Sequence, residues 1–519
     1  MLYEIQLPQL VDGHLPVAVI ALLLGVLACS WLLRKSEPAA SEGTLLIPKS
    51  VYSRLPLVGH LVGYARNGHS YFSSLCASTP LPIFTIRMAK VKLSVVKPAL
   101  TRDLPQTKHL SLAPLVLELF KRSLDLGEFS SYLLREDDEQ SKRFAPEISR
   151  LFRDEFIPNR NLRKYVEELD AYIQRDVALI HDAKSIHIED WIFKTLVGAL
   201  GKSMWGGDDG PFGDAEFVAQ LRTFLLNIQR LNNPATFMIE PKLLESRRVV
   251  RERLDQFSFE KYAEKAGSSE SVDESFLARV RTLCLDHGAA AEGWTDYQLL
   301  LIAGLGPNVM AASTWMIHHL LADPNLLAAA REQLDNFVRK SEGSIDLADM
   351  SEKCPLLIAT WNEVLRFHGG FTLGRYVHED TTLAGTYLLK KGSYALAPLK
   401  PHHFDKQLWG DDVEDFRPHG FLKEGGGLDE IQKRKLRVYG LFGALCPGRF
   451  LAVHMTMAVT VRLLLAFDIA PLKDGTNHAP PEECKETIAG LATPAWDAEI
   501  GLRRREIIED VEIRFRSSR

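Results

Sequence analysis

The chain has 519 residues, of which 46% are hydrophobic and 25% are charged, a composition that supports a large buried core and is unlike that of a disordered chain. The formal net charge of -5 provides no overall attraction to nucleic acid, so a polyanion-binding role is disfavoured. The six cysteines are scattered and include no Cys-x-x-Cys pair, which indicates neither a disulfide framework nor a thiolate zinc site. Any functional cysteine must act alone.

An apolar segment lies near the N-terminus. Residues 15–33 form a run of nineteen residues without a charge, close to the roughly 20 needed to cross a bilayer as a helix. Arg34 and Lys35 follow directly, whereas residues 1–14 contain no Lys or Arg, so the positive-inside rule leaves the rest of the chain in the cytosol. We predict a transmembrane signal anchor at 15–33 and a lumenal N-terminus at 1–14. A cleavable signal peptide and a core helix are the alternatives.

After a linker at 34–50, residues 51–519 are predicted to form one mainly α-helical domain with small β-sheets. Apolar residues recur at helical spacing in three segments, 160–182, 296–321 and 325–340. Short runs typical of strands lie at 82–86, 91–96 and 382–396, the last punctuated by Gly385 and Gly392 as in a hairpin. No repeat or low-complexity tract marks a further domain boundary.

Three polar features of this body have an ordinary interpretation when taken singly. Glu363 and Arg366 are three residues apart on a predicted helix and can pair on one face, as many surface ion pairs do. The adjacent pairs His318–His319 and His402–His403 have no HExxH pattern or matching carboxylate spacing. They are therefore interpreted as surface or core histidines.

Cys446 stands where a Gly-rich loop ends and an apolar, periodic helix begins. Pro447 suits the first turn of that helix. A thiol at this place meets unpaired backbone N–H groups and the positive end of the helix dipole, which lower its pKa and favour the thiolate as a metal ligand or nucleophile. The alternative is a buried structural cysteine.

This loop and helix resemble the haem-binding segment of the cytochrome P450 family. Gly448 and Ala452 follow Cys446 at the family's spacing, and the pair Tyr439–Gly440 precedes it as an aromatic-Gly pair does in that family. Phe442 and Ala444 depart from the family pattern, which carries Gly and often a basic residue at those places. The resemblance implies a cytochrome P450 fold, haem b as the cofactor and Cys446 as the axial ligand of its iron.

The same resemblance assigns roles to residues before the cysteine. Glu363 and Arg366 match the family's structural Glu-x-x-Arg pair. Arg375 matches the arginine that reaches a haem propionate, a role suited to the forked guanidinium. Gly420 stands where the family has a second structural arginine, which leaves Arg417 as the alternative source.

The helix expected to cross the distal side of the haem contains Pro307, where a kink is predicted. It lacks the family's acid-alcohol pair for proton delivery. Asn308 takes the alcohol position, with Trp315 seven residues later, a spacing similar to the branch of sterol hydroxylases and prostacyclin synthase. Asn308 is assigned a catalytic role in tuning the oxygen or substrate pocket. Hydrogen bonding to backbone freed by Pro307 is the alternative.

The resemblance implies a haem-thiolate monooxygenase anchored as a single-pass protein in the endoplasmic reticulum membrane. It would oxidise an apolar small molecule of terpenoid, sterol, polyketide or fatty-acid type, with electrons from a separate NADPH-cytochrome P450 reductase. A haem-thiolate isomerase or dehydratase that rearranges a peroxide or other activated lipid without external electrons is the first alternative. A haem-binding scaffold without turnover and a cysteine-nucleophile hydrolase are the others.

Overall fold

The computed structural model describes residues 41–42, 45–505 and 512–514, apart from short internal gaps. These gaps are residues 54–58, 69, 89–90, 102, 105–106, 159–160, 181–182, 229, 233–235, 264–274, 290, 342–343, 371, 441–444, 473–477 and 485–489. The predicted anchor at 15–33 and the two atypical loop positions, Phe442 and Ala444, lie outside the described residues.

Helices dominate the described part of the chain. In chain order they are α1 (Leu61–Asn67), α2 (Ser70–Ser78), α3 (Pro98–Thr101), α4 (Ala113–Phe120), α5 (Glu128–Arg135), α6 (Glu139–Glu155), α7 (Leu162–Leu179), α8 (Ile188–Ile192), α9 (Gly198–Met204), α10 (Ala215–Leu226), α11 (Thr236–Ile239), α12 (Pro241–Ala263), α13 (Phe276–Asp286), α14 (Ala291–Ala322), α15 (Pro324–Lys340), α16 (Met350–Lys353), α17 (Pro355–His368), α18 (Lys400–His403), α19 (Lys406–Trp409), α20 (Glu430–Lys433) and α21 (Arg449–Ala466). A π-helical turn at Phe193–Val197 joins α8 to α9. The three predicted helical segments coincide with α7, α14 and α15.

Among the described residues, the strands are short and belong to four small sheets. They are β1 (Ser41–Glu42), β2 (Leu45–Leu46), β3 (Ile83–Met88), β4 (Val91–Val96), β5 (Leu110–Ser111), β6 (Ser185–His187), β7 (Ser344–Asp346), β8 (Thr372–Val377), β9 (Thr381–Leu383), β10 (Tyr387–Leu389), β11 (Tyr394–Pro398), β12 (Phe467–Pro471), β13 (Glu499–Arg504) and β14 (Glu512–Arg514). The sheet orders are β1-β2-β10-β9, β3-β4-β11-β8-β5, β12-β13-β6 and β14-β7. The prediction of a mainly helical domain with small sheets is confirmed.

Local sequence explains where several elements begin and turn. Asp323 precedes α15, and its carboxylate accepts hydrogen bonds from the N–H groups of Asn325 and Leu326, which the helix itself leaves unpaired. In the predicted hairpin region, Gly385 and Gly392 have φ angles of +63° and +78°, a conformation that glycine adopts without steric cost. Turns therefore form at both positions, between β9 and β10 and between β10 and β11.

The N-terminal part of the folded domain extends further than the sequence predicts. The predicted linker includes residues 41–42 and 45–46, but these form β1 and β2, and Leu46 pairs with Tyr387 of β10. The physical reason is that the sheet edge of β10 offers backbone hydrogen bonds that a short extended segment can complete. The folded part therefore begins before Val51.

Two long apolar helices, α14 and α21, form the centre of the core. Both are long and apolar enough to cross a membrane, yet 67% of the apolar window of each is buried inside the protein. They touch through a hydrogen bond of 2.9 Å between the hydroxyl groups of Ser313 and Thr456, both fully buried. Their apolar character is thus that of core helices.

Candidate functional site

The cysteine loop, residues 438–448, leads into α21. Gly440 has a φ angle of +113°, and the amide of Cys446 donates to the carbonyl oxygen of Tyr439 at 2.5 Å. Gly448 is the residue that immediately precedes α21, and its carbonyl accepts from the amide of Ala452 at 2.9 Å, as in a first helical turn. The loop therefore places the thiol of Cys446 beside the N-terminus of α21.

Cys446 is accessible to solvent although protein surrounds most of its side chain. Burial raises the pKa of the thiol, and hydrogen bonds from the amides of Gly448 and Arg449, together with the charge of Arg449, oppose that rise. The prediction of a lowered pKa for Cys446 is wrong, because the loss of hydration raises the pKa by more than the amide donors lower it. The donors nevertheless point to the sulfur, where they would stabilise the thiolate form that a bound metal ion requires.

The middle of α14 differs from its two ends. Gly304 is exposed and Ala303, Leu305, Pro307 and Asn308 are partly exposed, whereas almost all described side chains before and after this stripe are buried. When a core helix is accessible to solvent only at its centre, that centre lines an internal opening. The helix continues through Pro307 from Ala291 to Ala322 without interruption.

The accessible stripe of α14 faces the cysteine loop. A β-carbon placed at Gly448 would lie 3.8 Å from Cδ2 of Leu305 and 3.9 Å from the sulfur of Cys446. A β-carbon placed at Gly304 would have no neighbouring atom within 4 Å. Leu305 and the thiol therefore both lie next to Gly448, beside the N-terminus of α21, and the space next to Gly304 is open.

Glu363 and Arg366, on α17, form a fully buried ion pair. Two guanidinium nitrogens of Arg366 each donate to one carboxylate oxygen of Glu363 at 2.7 Å. The remaining donors reach the carbonyl oxygens of His403, Val413 and Asp415, each at 3.0 Å. All five N–H donors of the arginine are thereby used.

Arg417 joins this pair through its backbone. Its amide donates to Oε1 of Glu363 at 2.6 Å, whereas its guanidinium pairs with Asp412 and donates to the carbonyl of Trp409 at 3.0 Å. The side chain therefore does not substitute for the family's second arginine. Gly420, at the family's position, would have no neighbouring atom within 4 Å of an added β-carbon.

Arg375 lies on β8, where it is opposite Ala395 of β11. Only 4% of the residue is exposed, and its Nη1 donates to the carbonyl of Gly374 at 2.8 Å. Burial lowers the pKa of the guanidinium to about 10. A carboxylate next to this buried cation would offset its lost hydration.

Asn308 contacts a C-terminal segment. Its Oδ1 accepts a hydrogen bond from the amide of Leu491 at 3.1 Å. The alternative, a bond from the side-chain amide group to the carbonyl that Pro307 frees, stays a prediction. Ser313 and Thr314 are fully buried and donate to carbonyls one turn earlier in α14. Neither hydroxyl belongs to the accessible stripe.

The structure contains a buried histidine cluster that the sequence does not predict. His319 and His368 approach each other at 2.8 Å between their Nε2 atoms, and Nδ1 of His368 lies 3.0 Å from Oε1 of Glu483. His318 meets His478 at 2.7 Å. Burial lowers the pKa of His368 to about 4 and that of His318 to about 3, so both are neutral at pH 7. Residues so far apart in the chain carry no common local signal.

The interpretation of His318, His319, His402 and His403 as ordinary histidines agrees with their burial in the core. Within the described ranges, no group of three or more His, Cys, Asp or Glu side chains could hold a metal ion. A surface cleft of about 480 Å³ lies elsewhere, lined by residues of α1 and its surroundings, among them Val51, His60 and Tyr71. None of the predicted site residues lines it.

The residues present fit a haem group on three observations. Cys446 offers an accessible sulfur that amide donors approach. The centre of α14 lines an opening beside that sulfur, with Gly304 leaving it unobstructed. Arg375 provides a buried cation suited to a carboxylate. Together these supply a soft metal ligand, an apolar wall and a partner for an anionic group.

Comparison with known proteins finds one matching family model and several curated relatives. Residues 298–495 match the family model described as Cytochrome P450. A Cytochrome P450 monooxygenase of Gibberella zeae is 23% identical over 489 residues, which cover 90% of this chain and 90% of the relative. Cytochrome P450 monooxygenase nodJ of Hypoxylon pulicicidum is 24% identical over 486 residues, which cover 90% of this chain and 92% of the relative.

By these matches the chain is similar to cytochrome P450 monooxygenases, which supports an oxidoreductase enzyme. The mainly helical architecture with small sheets is consistent with that fold. Proteins of the family bind haem b through an axial cysteine thiolate and use redox partners and apolar substrates. The resemblance to the sterol hydroxylase and prostacyclin synthase branch stays a prediction.

Proposed function

We propose that this chain is a haem-thiolate monooxygenase, anchored in the endoplasmic reticulum membrane through residues 15–33, that oxidises an apolar small molecule. The observation that carries the proposal is the accessible thiol of Cys446 at the N-terminus of α21, opposite the accessible stripe at the centre of α14. Monooxygenases among the relatives support this activity over the rearrangement of a peroxide.

The residues around the cysteine loop have distinct roles in this proposal. The sulfur of Cys446 would hold the iron, and the amides of Gly448 and Arg449 would stabilise its negative charge. Arg375 would pair with a propionate. When bound, the haem would supply the activation of dioxygen, and the thiolate ligand would donate electron density to its iron. Glu363 and Arg366 hold the path of the chain leading to the cysteine loop.

The walls of the opening indicate the class of substrate. Ala303, Leu305 and Pro307 of the accessible stripe of α14 are apolar. Such walls bind through burial of apolar surface and offer little to a charged molecule. A terpenoid, sterol, polyketide or fatty-acid-type substrate fits them.

A strip of basic residues supports a separate acidic electron donor. Lys433, Arg434, Lys435 and Arg437 lie within five consecutive positions just before the cysteine loop, and Arg449 lies just after it. Clustered cations of this kind steer a partner of opposite charge. We therefore assign electron delivery to an NADPH-cytochrome P450 reductase that docks beside Cys446.

The first test is the spectrum of the reduced, carbon-monoxide-bound protein. Full-length protein should contain stoichiometric haem and show the red-shifted Soret band of thiolate ligation, and Cys446→Ser should lose that band. Cys354→Ser is a matched control, since Cys354 is fully buried at the start of α17. Absence of haem, or an unchanged spectrum in Cys446→Ser, would disprove the proposal.

A second test separates the monooxygenase from the peroxide-rearranging alternative. Turnover of an apolar substrate should require NADPH, reductase and dioxygen. The double variant Lys433→Glu, Arg434→Glu should lower reductase-supported turnover about tenfold at low salt while leaving the carbon-monoxide spectrum unchanged. Lys164→Glu, on the exposed surface of α7, serves as the control. Turnover without NADPH and reductase would favour the alternative.

A further inference from the structure

Asn308 and Trp315 hold the same C-terminal segment. They are seven residues apart on α14, which places them on one face about two turns apart. Oδ1 of Asn308 accepts from the amide of Leu491 at 3.1 Å, and Nε1 of Trp315 donates to the carbonyl of Ala492 at 2.6 Å. Helical side chains lean toward the N-terminus, so the long indole reaches back to the residue next to the one that Asn308 binds.

The same segment is also tied to α17. The amide of Ala492 donates to the carbonyl of His368 at 3.1 Å. The rings of His368 and Trp315 stack, with centroids 3.7 Å apart and planes 7° from parallel. Trp315 is fully buried and Leu491 is only 8% exposed. Two core helices therefore fix both backbone groups of Ala492 and the amide of Leu491.

Gly490 completes the fit. Its φ angle is +93°, and a β-carbon there would lie 1.5 Å from Oδ1 of Asn308. The side-chain amide group of Asn308 thus lies directly against the α-carbon of Gly490, in space that the side chain of any other residue would occupy. This close approach and the hydrogen bond to Leu491 are two separate contacts between Asn308 and one short segment.

Asn308 is also the last residue of the accessible stripe of α14, beyond which Val309 and Met310 are buried. The segment 490–492, which contacts Asn308, therefore lies at that end of the stripe. We propose that Asn308 is a positioning residue that, with Trp315 and His368, clamps segment 490–492 as a wall of the substrate opening and so limits the size of the bound molecule. The effect on substrate size rests on the proposed function, whereas the clamp itself rests only on the contacts described above.

The clamp is tested by hydrogen exchange in the full-length, haem-loaded protein. In Asn308→Ala, exchange at the Leu491 amide should rise about tenfold, because its acceptor is lost. Asn308→Asp retains an acceptor oxygen and should exchange like the wild type. Thr314→Val is the control, since Thr314 lies on the same helix and its hydroxyl donates to the carbonyl of Met310 within that helix. Unchanged exchange in Asn308→Ala would overturn the clamp.

The role in size selection is tested with two iron ligands of different bulk, imidazole and N-phenylimidazole. Their binding is followed by the shift of the Soret band. Asn308→Ala should change the affinity for N-phenylimidazole, relative to imidazole, at least about threefold, whereas Asn308→Asp should restore the wild-type ratio. If Asn308→Ala does not accumulate, Trp315→Phe removes one hydrogen bond while keeping an aromatic ring against His368, and the same change in ratio is expected.

The two proposals fail in different ways. An unchanged affinity ratio in a variant with normal haem-thiolate spectrum would overturn the clamp's role in size selection and leave the monooxygenase proposal intact. Missing thiolate ligation in the wild type would overturn the proposed function. In that case the exchange rate at Leu491 still decides whether Asn308 holds the segment.

Discussion

Replacing Arg366 with alanine should lower the free energy of unfolding by about 3–5 kcal/mol. The arginine is 1% exposed, and its removal leaves the equally buried carboxylate of Glu363 without its cation. It also leaves the backbone carbonyls of His403, Val413 and Asp415 without the guanidinium N–H groups that donate to them. Each loss adds the cost of an unpaired buried polar group.

Urea-induced unfolding of the haem-loaded protein, followed by tryptophan fluorescence, measures this effect. Arg366→Lys should show an intermediate loss, because an ammonium group has three donors where five are used. Arg248→Ala is the matched control: Arg248 pairs with Glu245 at the same three-residue spacing on α12, but both are exposed, so stability should not change measurably. Equal losses in Arg366→Ala and Arg248→Ala would refute the reasoning.

Two further changes have expected outcomes. Gly490→Ala should destabilise the protein, since the new methyl group overlaps Asn308 at a φ of +93°; adding Asn308→Ala should recover part of the loss, and no recovery in thermal unfolding would contradict the close approach. Burial raises the pKa of Glu189 from 4.5 to about 7, so the folded state holds that proton more tightly than the unfolded state does. The free energy of unfolding of the wild type should therefore fall as the pH rises from about 4.5 to 7. Glu189→Gln should remove this fall in urea titrations at several pH values. An identical pH dependence in both proteins would show that Glu189 is not its source.

Patterns within a short stretch of sequence predict the fold class well. Apolar spacing locates α7, α14 and α15, and glycine positions locate the turns around β10. The spacing of Glu363 and Arg366 permits their pairing, which the structure contains. In each case the decisive interactions are local, so the chain itself encodes them within a few residues.

Features that depend on distant contacts could not be predicted. Asn308 and Leu491 are 183 residues apart, and nothing near either residue indicates that they meet. The direction of the pKa shift of Cys446 is hidden for a similar reason. The helix terminus is visible in the sequence, whereas the desolvation that outweighs it arises from the packed surroundings.

The carbonyls that Arg366 binds are spread over thirteen positions, from His403 to Asp415. This stretch has little regular structure of its own, so a single side chain fixes the distances between its backbone carbonyls. Extra residues inserted there would shift at least one carbonyl out of reach and alter the approach to Cys446. Residues 425–427 are exposed glycines with no neighbouring atoms within 4 Å of their side-chain positions. That exposed turn lies outside the stretch that Arg366 holds, so a tag or reporter peptide is better tolerated there than between His403 and Asp415.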